Sequence, residues 1–171
     1  MTMGLFNKKQ KQQDYIALVR KTAEEAMPEL KGWDMTLTAS KSSAMSTFKK
    51  AGGYLLKNVA ANVAASVVGL RVHFNENPFE EIMFITCFKG TEIYFLSIGD
   101  GLCKDNLTID NDMCFHFTGT EIQSFKKGFG KKVTLNLRDE GKFMFTYGVG
   151  AGTIYSIPEG DKQLESFIKL F

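Results

Sequence analysis

Two kinds of alternation run along this chain. Between residues 81 and 98 both alternating sets are apolar: Ile82, Phe84 and Phe88 stand on one, Met83, Ile85 and Cys87 on the other. Lys89-Gly90-Thr91 interrupts the run as a turn, so residues 81–88 and 92–98 predict a hairpin that needs cover on both faces. Further on the alternation is one-sided. Met113, Phe115 and Phe117 oppose Asp112, Cys114, His116 and Thr118; residues 122–125 give a shorter piece; Val133, Leu135 and Leu137 oppose Lys132, Thr134, Asn136 and Arg138. Each of these predicts a strand with one wet side. Asp139-Glu140-Gly141 predicts a type I turn with Gly141 in the left-handed position, returning into Phe143, Phe145 and Tyr147.

The flanks carry helical spacing. Ile16, Val19, Ala23, Met27 and Leu30 recur as one stripe, after a weak capping box at Asn7 and Gln10 or a cap at Asp14, with Met1–Phe6 expected to be a mobile tail. Pro28 and Lys31-Gly32 end that helix. Residues 33–39 alternate next, with Trp33, Met35, Leu37 and Ala39 dry and Asp34, Thr36 and Thr38 wet. At the far end a Gly-rich loop and a short strand over 153–157 lead into a closing helix marked by Leu164, Phe167, Ile168 and Phe171.

Residues 43–70 fit neither pattern. They are rich in Ala, Val and Gly, and from Ala51 to Leu70 Lys57 is the only charge. On a helical wheel Phe48, Leu55, Val59, Val63, Val67 and Leu70 share a broad face, Asn58, Asn62 and Ser66 make a polar stripe, and Ala61, Ala65 and Gly69 repeat every fourth position. The segment predicts an inserted helix buried over most of its circumference, the obvious cover for the second face of the 81–98 hairpin. Lys57, Asn58 and Asn62 near its centre disfavour the transmembrane alternative.

Composition then bounds the class. With 44% apolar and 23% charged residues, three prolines and fifteen phenylalanines in 171 residues, the chain is expected to be one globular domain with an aromatic core. Three cysteines, Cys87, Cys103 and Cys114, fit no C-x-x-C pattern and follow no signal peptide, which predicts reduced thiols in a cytoplasm. A net charge of +2 argues against a nucleic-acid binder. The charge is segregated, however: +1 over residues 1–40, +5 over 41–75, −7 over 76–121 and +3 over 122–171, which produces opposed faces unless the blocks intermix in space.

On the residues EIQSFKKGFGKKVTLNLRDEGKFMFTYG (121–148) and QLESFIKLF (163–171), preceded by FITCFKGTEIYFLSIG (84–99), the chain resembles bacterial PH-like domains close to the GRAM-like group. The resemblance covers roughly residues 80–171. It implies a strongly bent antiparallel sheet, nearly a barrel, plugged by one C-terminal helix. The expected fold is thus α+β, a PH-like bent sheet or partial barrel with a C-terminal capping helix, an N-terminal basic segment and helix over 1–32, and the inserted helix over 43–70. Phosphoinositide-binding members use basic residues in the first hairpin; here the first strand runs into the Ala-rich segment, so no functional residue carries over.

Candidate chemistry is sparse. Lys126, Lys127, Lys131 and Lys132 flank Phe129, itself bracketed by Gly128 and Gly130, at an expected hairpin tip. Such a tip places Phe129 at a lipid interface with the lysines on anionic headgroups; the plain alternative is a solvated loop guarding a sheet edge. Leu5, Phe6, Lys8, Lys9 and Lys11 repeat the idea at the N-terminus, where a solvated tail is the plain alternative. Gly148–Gly152 lacks the spacing of a phosphate loop and reads as a flexible connector. Cys103, Cys114 and His116 could supply ligands to a metal but lack a C-x-x-C or H-x-x-x-H pattern, His73 has no patterned partner, and Asp100, Asp105, Asp110 and Asp112 do not space as an EF-hand. No catalytic, cofactor or metal set emerges. The expectation is a non-catalytic interaction module that docks on an unknown protein partner or on an anionic lipid surface at the inner face of the membrane. The alternative is a homo-oligomer that self-associates through residues 43–70.

Overall fold

The structure, a computed structural model, describes residues 2–41, 81–98, 107–109 and 114–171. The Ala/Val-rich segment 43–70, His73, Cys103, Asp100, Asp105, Asp110 and Asp112 lie outside the described residues, so the inserted helix and the alternatives built on it stay expectations. What is described is α+β: helix α1 (Thr2–Ala26), a 3-10 turn (Pro28–Leu30), seven strands and a closing helix α2 (Pro158–Ile168). The strands are β1 (Asp34–Lys41), β2 (Glu81–Lys89), β3 (Glu92–Ser97), β4 (Phe115–Phe117), β5 (Ile122–Lys127), β6 (Lys132–Leu137) and β7 (Lys142–Tyr147). They form one antiparallel sheet in the order β4-β3-β2-β1-β7-β6-β5.

Ring contacts show that this sheet folds over itself. β3 and β7 have two strands between them, about 14 Å if the sheet were flat. Yet the Phe95 and Phe143 rings lie 4.8 Å apart, and Phe117 of β4 comes within 6.3 Å of Phe143. Phe84, Phe95, Phe115, Phe117, Phe143 and Phe145 line the inside of the bend, and α2 closes it with Leu164, Phe167 and Ile168. Gly160 lets α2 approach: a β-carbon there would collide with the Met35 carbonyl of β1. The buried Asp161 then accepts hydrogen bonds from Thr36 Oγ1 (2.6 Å) and the Gly148 amide (3.2 Å), which ties α2 to β1 and to the loop after β7.

The expectation that Thr36 and Thr38 are wet is corrected. β1 is flanked on both sides by strands, and its hydroxyls face the inside of the bend; Thr38 Oγ1 lies 2.7 Å from Thr86 Oγ1, so both are dry but bonded. The second hairpin face carries a cover that the sequence reading did not assign to it. Met83, Ile85, Cys87, Tyr94 and Leu96 pack with Met35 and Leu37 against Tyr15, Val19, Ala23 and Met27 of α1, so the N-terminal helix lies on this face, while the packing expected of residues 43–70 lies outside the described residues. α1 also begins at Thr2, so residues 2–6, expected as a tail before a cap at Asn7 or Asp14, belong to the helix, and Tyr15 joins its buried stripe, with Ile16 only partly buried. Pro28 ends the helix as expected, opening the 3-10 turn.

Two turns differ from their sequence reading. At the β6–β7 hairpin the left-handed residue is Glu140 (φ 72°), one position before Gly141. A type I turn over Arg138-Asp139, closed by the Glu140 amide on the Leu137 carbonyl (3.1 Å), puts the bulge there. Residues 153–157 are turns and not a strand. Thr153 Oγ1 donates to the Gly150 carbonyl (2.7 Å) and accepts from the Tyr155 amide (3.1 Å), a local alternative to strand pairing.

Burial sets an alkaline limit to stability. Desolvation pushes the Tyr147 phenol from 10.0 up to about 12, helped by its 2.7 Å hydrogen bond to Glu165. Burial likewise raises Tyr94 to about 12 and lifts the Cys87 thiol above its ordinary range. In all three the folded state holds its proton longer than the unfolded chain. The stabilisation is complete below the unfolded values and disappears as pH rises through the folded ones. Denaturant midpoints should therefore fall as pH climbs from 10.0 towards 12, and Tyr147→Phe should make that fall shallower. An equally steep fall in the variant would exclude Tyr147 as a contributor.

Candidate basic-aromatic surface

The β5–β6 hairpin carries all five predicted site residues, Lys126 and Lys127 on two cross-strand rungs and Phe129, Lys131 and Lys132 from the tip into β6. Lys127 pairs with Val133 and Lys126 with Thr134, and the Gly128 amide donates to the Lys132 carbonyl (2.9 Å). Gly130 takes a positive φ of 67°, which a side chain would resist, and this turns the chain so that Phe129 points outward. Phe129 is 96% exposed, and Lys126, Lys127, Lys131 and Lys132 are all exposed. Four residues before Phe129 the chain turns inward: Phe125 packs on Phe167 and Phe171 at 5.9 and 5.4 Å. Among the described residues no such ring contact holds Phe129, so the hairpin separates a partly buried aromatic at its base from an exposed one at its end.

Lysine geometry is uneven. Lys131 folds back, its Nζ 5.5 Å from the centroid of the Tyr147 ring and its aliphatic stem against Gly148. Lys126 and Lys132 belong to the outer face of the β5–β7 half of the sheet, which also carries Thr134, Asn136, Lys142, the half-exposed Met144 and Thr146. Next to the hairpin base β1 and β7 pair only through Thr38–Tyr147 and Ala39–Thr146 before diverging. A cavity of about 300 Å³ opens there, with Lys41, Glu81, Lys132 and Met144 among its lining. Ser40 Oγ bridges the gap by donating to the Met144 carbonyl (2.6 Å).

The loop 148–152, expected to be a flexible connector, is a hydrogen-bonded turn: the Ala151 amide donates to the Gly148 carbonyl (3.2 Å) and the Thr153 amide to the Gly150 carbonyl (2.9 Å). It also receives α1. Lys8 Nζ donates to the Gly152 carbonyl (3.1 Å), and Gln12 Nε2 donates to the Ser156 hydroxyl (2.9 Å). Nothing in the sequence marks these contacts, which join positions 144 residues apart.

The weaker candidates resolve differently. Cys114 is buried among apolar side chains, while His116 stacks on Tyr94 (3.9 Å) and bonds Glu92 (2.8 Å) through Nε2. Among the described residues no three His, Cys, Asp or Glu side chains group as a metal site, and no helix is long and apolar enough to cross a membrane. Neither a protein-family model, nor a curated protein, nor a solved structure matches the chain.

Proposed function

We propose that this chain is a non-catalytic PH-like interaction module that docks on an anionic membrane surface through the β5–β6 hairpin. The observation that carries the reading is Phe129, almost fully exposed at a tip between four exposed lysines, with no acid anywhere from Ile122 to Arg138. A large apolar side chain held in water costs free energy that insertion at a lipid interface recovers, and each lysine adds about 1 kcal/mol near anionic headgroups. The PH-like part is supported by the sheet that folds over itself and by the helix α2 that plugs it, both features that the sequence resemblance implies. In a bacterial cell such a module sits in the cytoplasm, peripheral to the inner face of the membrane.

The test is flotation with vesicles of equal parts phosphatidylserine and phosphatidylcholine. The wild-type protein should float at low salt and release as the Debye length shrinks from about 10 Å at 0.1 M to about 3 Å at 1 M. Lys127→Glu with Lys131→Glu should abolish flotation, and Phe129→Ser should weaken it in a way that salt does not screen. Both variants should keep the wild-type melting temperature, since exposed-tip changes stay within roughly 0.5 kcal/mol. A wild-type protein that never floats on anionic vesicles overturns the membrane reading. A protein partner for the same hairpin is then the reading left, or self-association through residues 43–70 if light scattering gives the mass of more than one chain.

A further inference from the structure

Two basic and apolar patches that lie at opposite ends of the sequence meet on one loop. Lys131 is seated on the Gly148 end of the loop 148–152 and Lys8 on its Gly152 end, and the Ala151–Gly148 hydrogen bond keeps those ends within one turn. α1 lies on the sheet only from Tyr15 onward; its first turns run past the loop, anchored by Lys8 and Gln12. Leu5 and Lys8 lie one turn apart on the same side of α1, which places Leu5 beyond the loop. Leu5 and Phe6 are 74% and 77% exposed. With Phe129 they make three of the five exposed large apolar side chains among the described residues.

Along the two stretches of chain the charge is of one sign, the nearby Glu165 being held by the Tyr147 hydroxyl (2.7 Å) and Glu81 lying across the cavity from Lys132. Residues 2–13 carry Lys8, Lys9 and Lys11, residues 122–137 carry Lys126, Lys127, Lys131 and Lys132, and neither stretch contains an acid. Asp14 is the nearest acid along α1 and is held by Gln10 (2.9 Å); Asp161 lies buried beneath the loop, engaged by Thr36 and Gly148. Among the described residues none of the seven lysines is in an ion pair.

From this convergence we infer that the first turns of α1 and the β5–β6 hairpin form one composite membrane-docking surface, with Leu5 and Phe6 inserting beside Phe129 and the seven lysines ringing them against anionic lipid. This rests on the membrane reading of the hairpin and adds a second point of attachment. Two linked contacts on one rigid body raise the apparent affinity more than either alone, because the second binds at high effective concentration. Charge complementarity selects a bilayer as the occupant: a flat anionic surface meets both patches at once.

The experiment compares variants by titration with vesicles of equal parts phosphatidylserine and phosphatidylcholine. Leu5→Ser with Phe6→Ser should weaken partitioning about tenfold or more, as should Lys9→Glu with Lys11→Glu, since each lysine near such a surface is worth roughly fivefold. In a Trp33→Phe background, Phe6→Trp and Phe129→Trp should each shift their emission to the blue on vesicle addition. Circular dichroism melts check that α1 stays docked. If the N-terminal variants bind as wild type and Phe6→Trp shows no shift while the hairpin variants fail, the composite surface is overturned and the hairpin reading stands. If wild type does not bind at all, both fall. If only the N-terminal variants fail, the composite surface and the hairpin site are both overturned.

Discussion

Phe143→Ala is expected to destabilise the protein by about 3–5 kcal/mol, a large share of the roughly 5–15 kcal/mol that holds a domain of this size. Phe143 is fully buried on β7, and its ring meets Phe84, Phe95, Phe115 and Phe117 from the other half of the folded sheet at 6.0, 4.8, 5.8 and 6.3 Å, as well as Phe145 beside it at 5.9 Å. Removing it takes away transfer free energy and leaves a cavity where the two halves touch, and five surrounding rings cannot collapse into it without parting from one another. A fall in melting temperature of roughly 10 °C should follow. Phe143→Leu should lose less, and Phe129→Ala, at the exposed tip, almost nothing. A Phe143→Ala protein within about 1 kcal/mol of wild type would mean that the halves are not packed through this ring.

Val19→Asp is the second large effect. Val19 is fully buried between α1 and the outer face of β1–β3, in a cluster with the apolar side chains of Met35, Leu37, Ile85 and Leu96. An unpaired charge there costs several kcal/mol, on the order of a lost core contact or more, and the least costly escape is for α1 to lift off. Met83, Ile85 and Leu96 would then be uncovered, so the variant should melt lower, bind a hydrophobic dye and aggregate on sizing columns. Ala17→Asp, two residues away on the exposed side of α1, should do none of this. A Val19→Asp protein with the wild-type melt and no dye binding would remove α1 from the core. It would also remove the anchoring on which the composite docking surface depends, so this variant tests the fold beneath the functional proposal.

The candidate site was legible only in pieces. The lysine hairpin could be read because Gly-Phe-Gly between paired lysines is incompatible with a buried strand, and its exposure follows from that local chemistry. That Lys131 lies over Tyr147, and that Lys8 reaches the Gly152 carbonyl, could not be read, since neither contact has a local signature and the latter spans 144 residues. The left-handed residue at the β6–β7 turn was misplaced by one position for a related reason: hairpin register, set by which side chains face the core, overrode the preference of glycine.

For four strands periodicity by itself determined the wet and dry faces, because side chains on a strand alternate regardless of what lies outside it: β6 and β7 leave every second residue at least partly exposed, while β2 and β3 are dry on both sets; on β1 it failed, because a strand flanked on both sides can bury hydroxyls that are hydrogen-bonded. It determined the closing helix in the same way, through Leu164, Phe167 and Ile168. What it could not determine is which element meets the second dry face, since apolar burial is not directional and any apolar stripe long enough satisfies it. The longer stripe over 43–70 is the obvious candidate from sequence, yet the stripe on α1 satisfies the same need. Only the tertiary structure decided for α1, because the short link through Pro28–Leu30 returns the chain from α1 directly into β1 at the centre of the sheet, laying the helix across the neighbouring strands that needed cover.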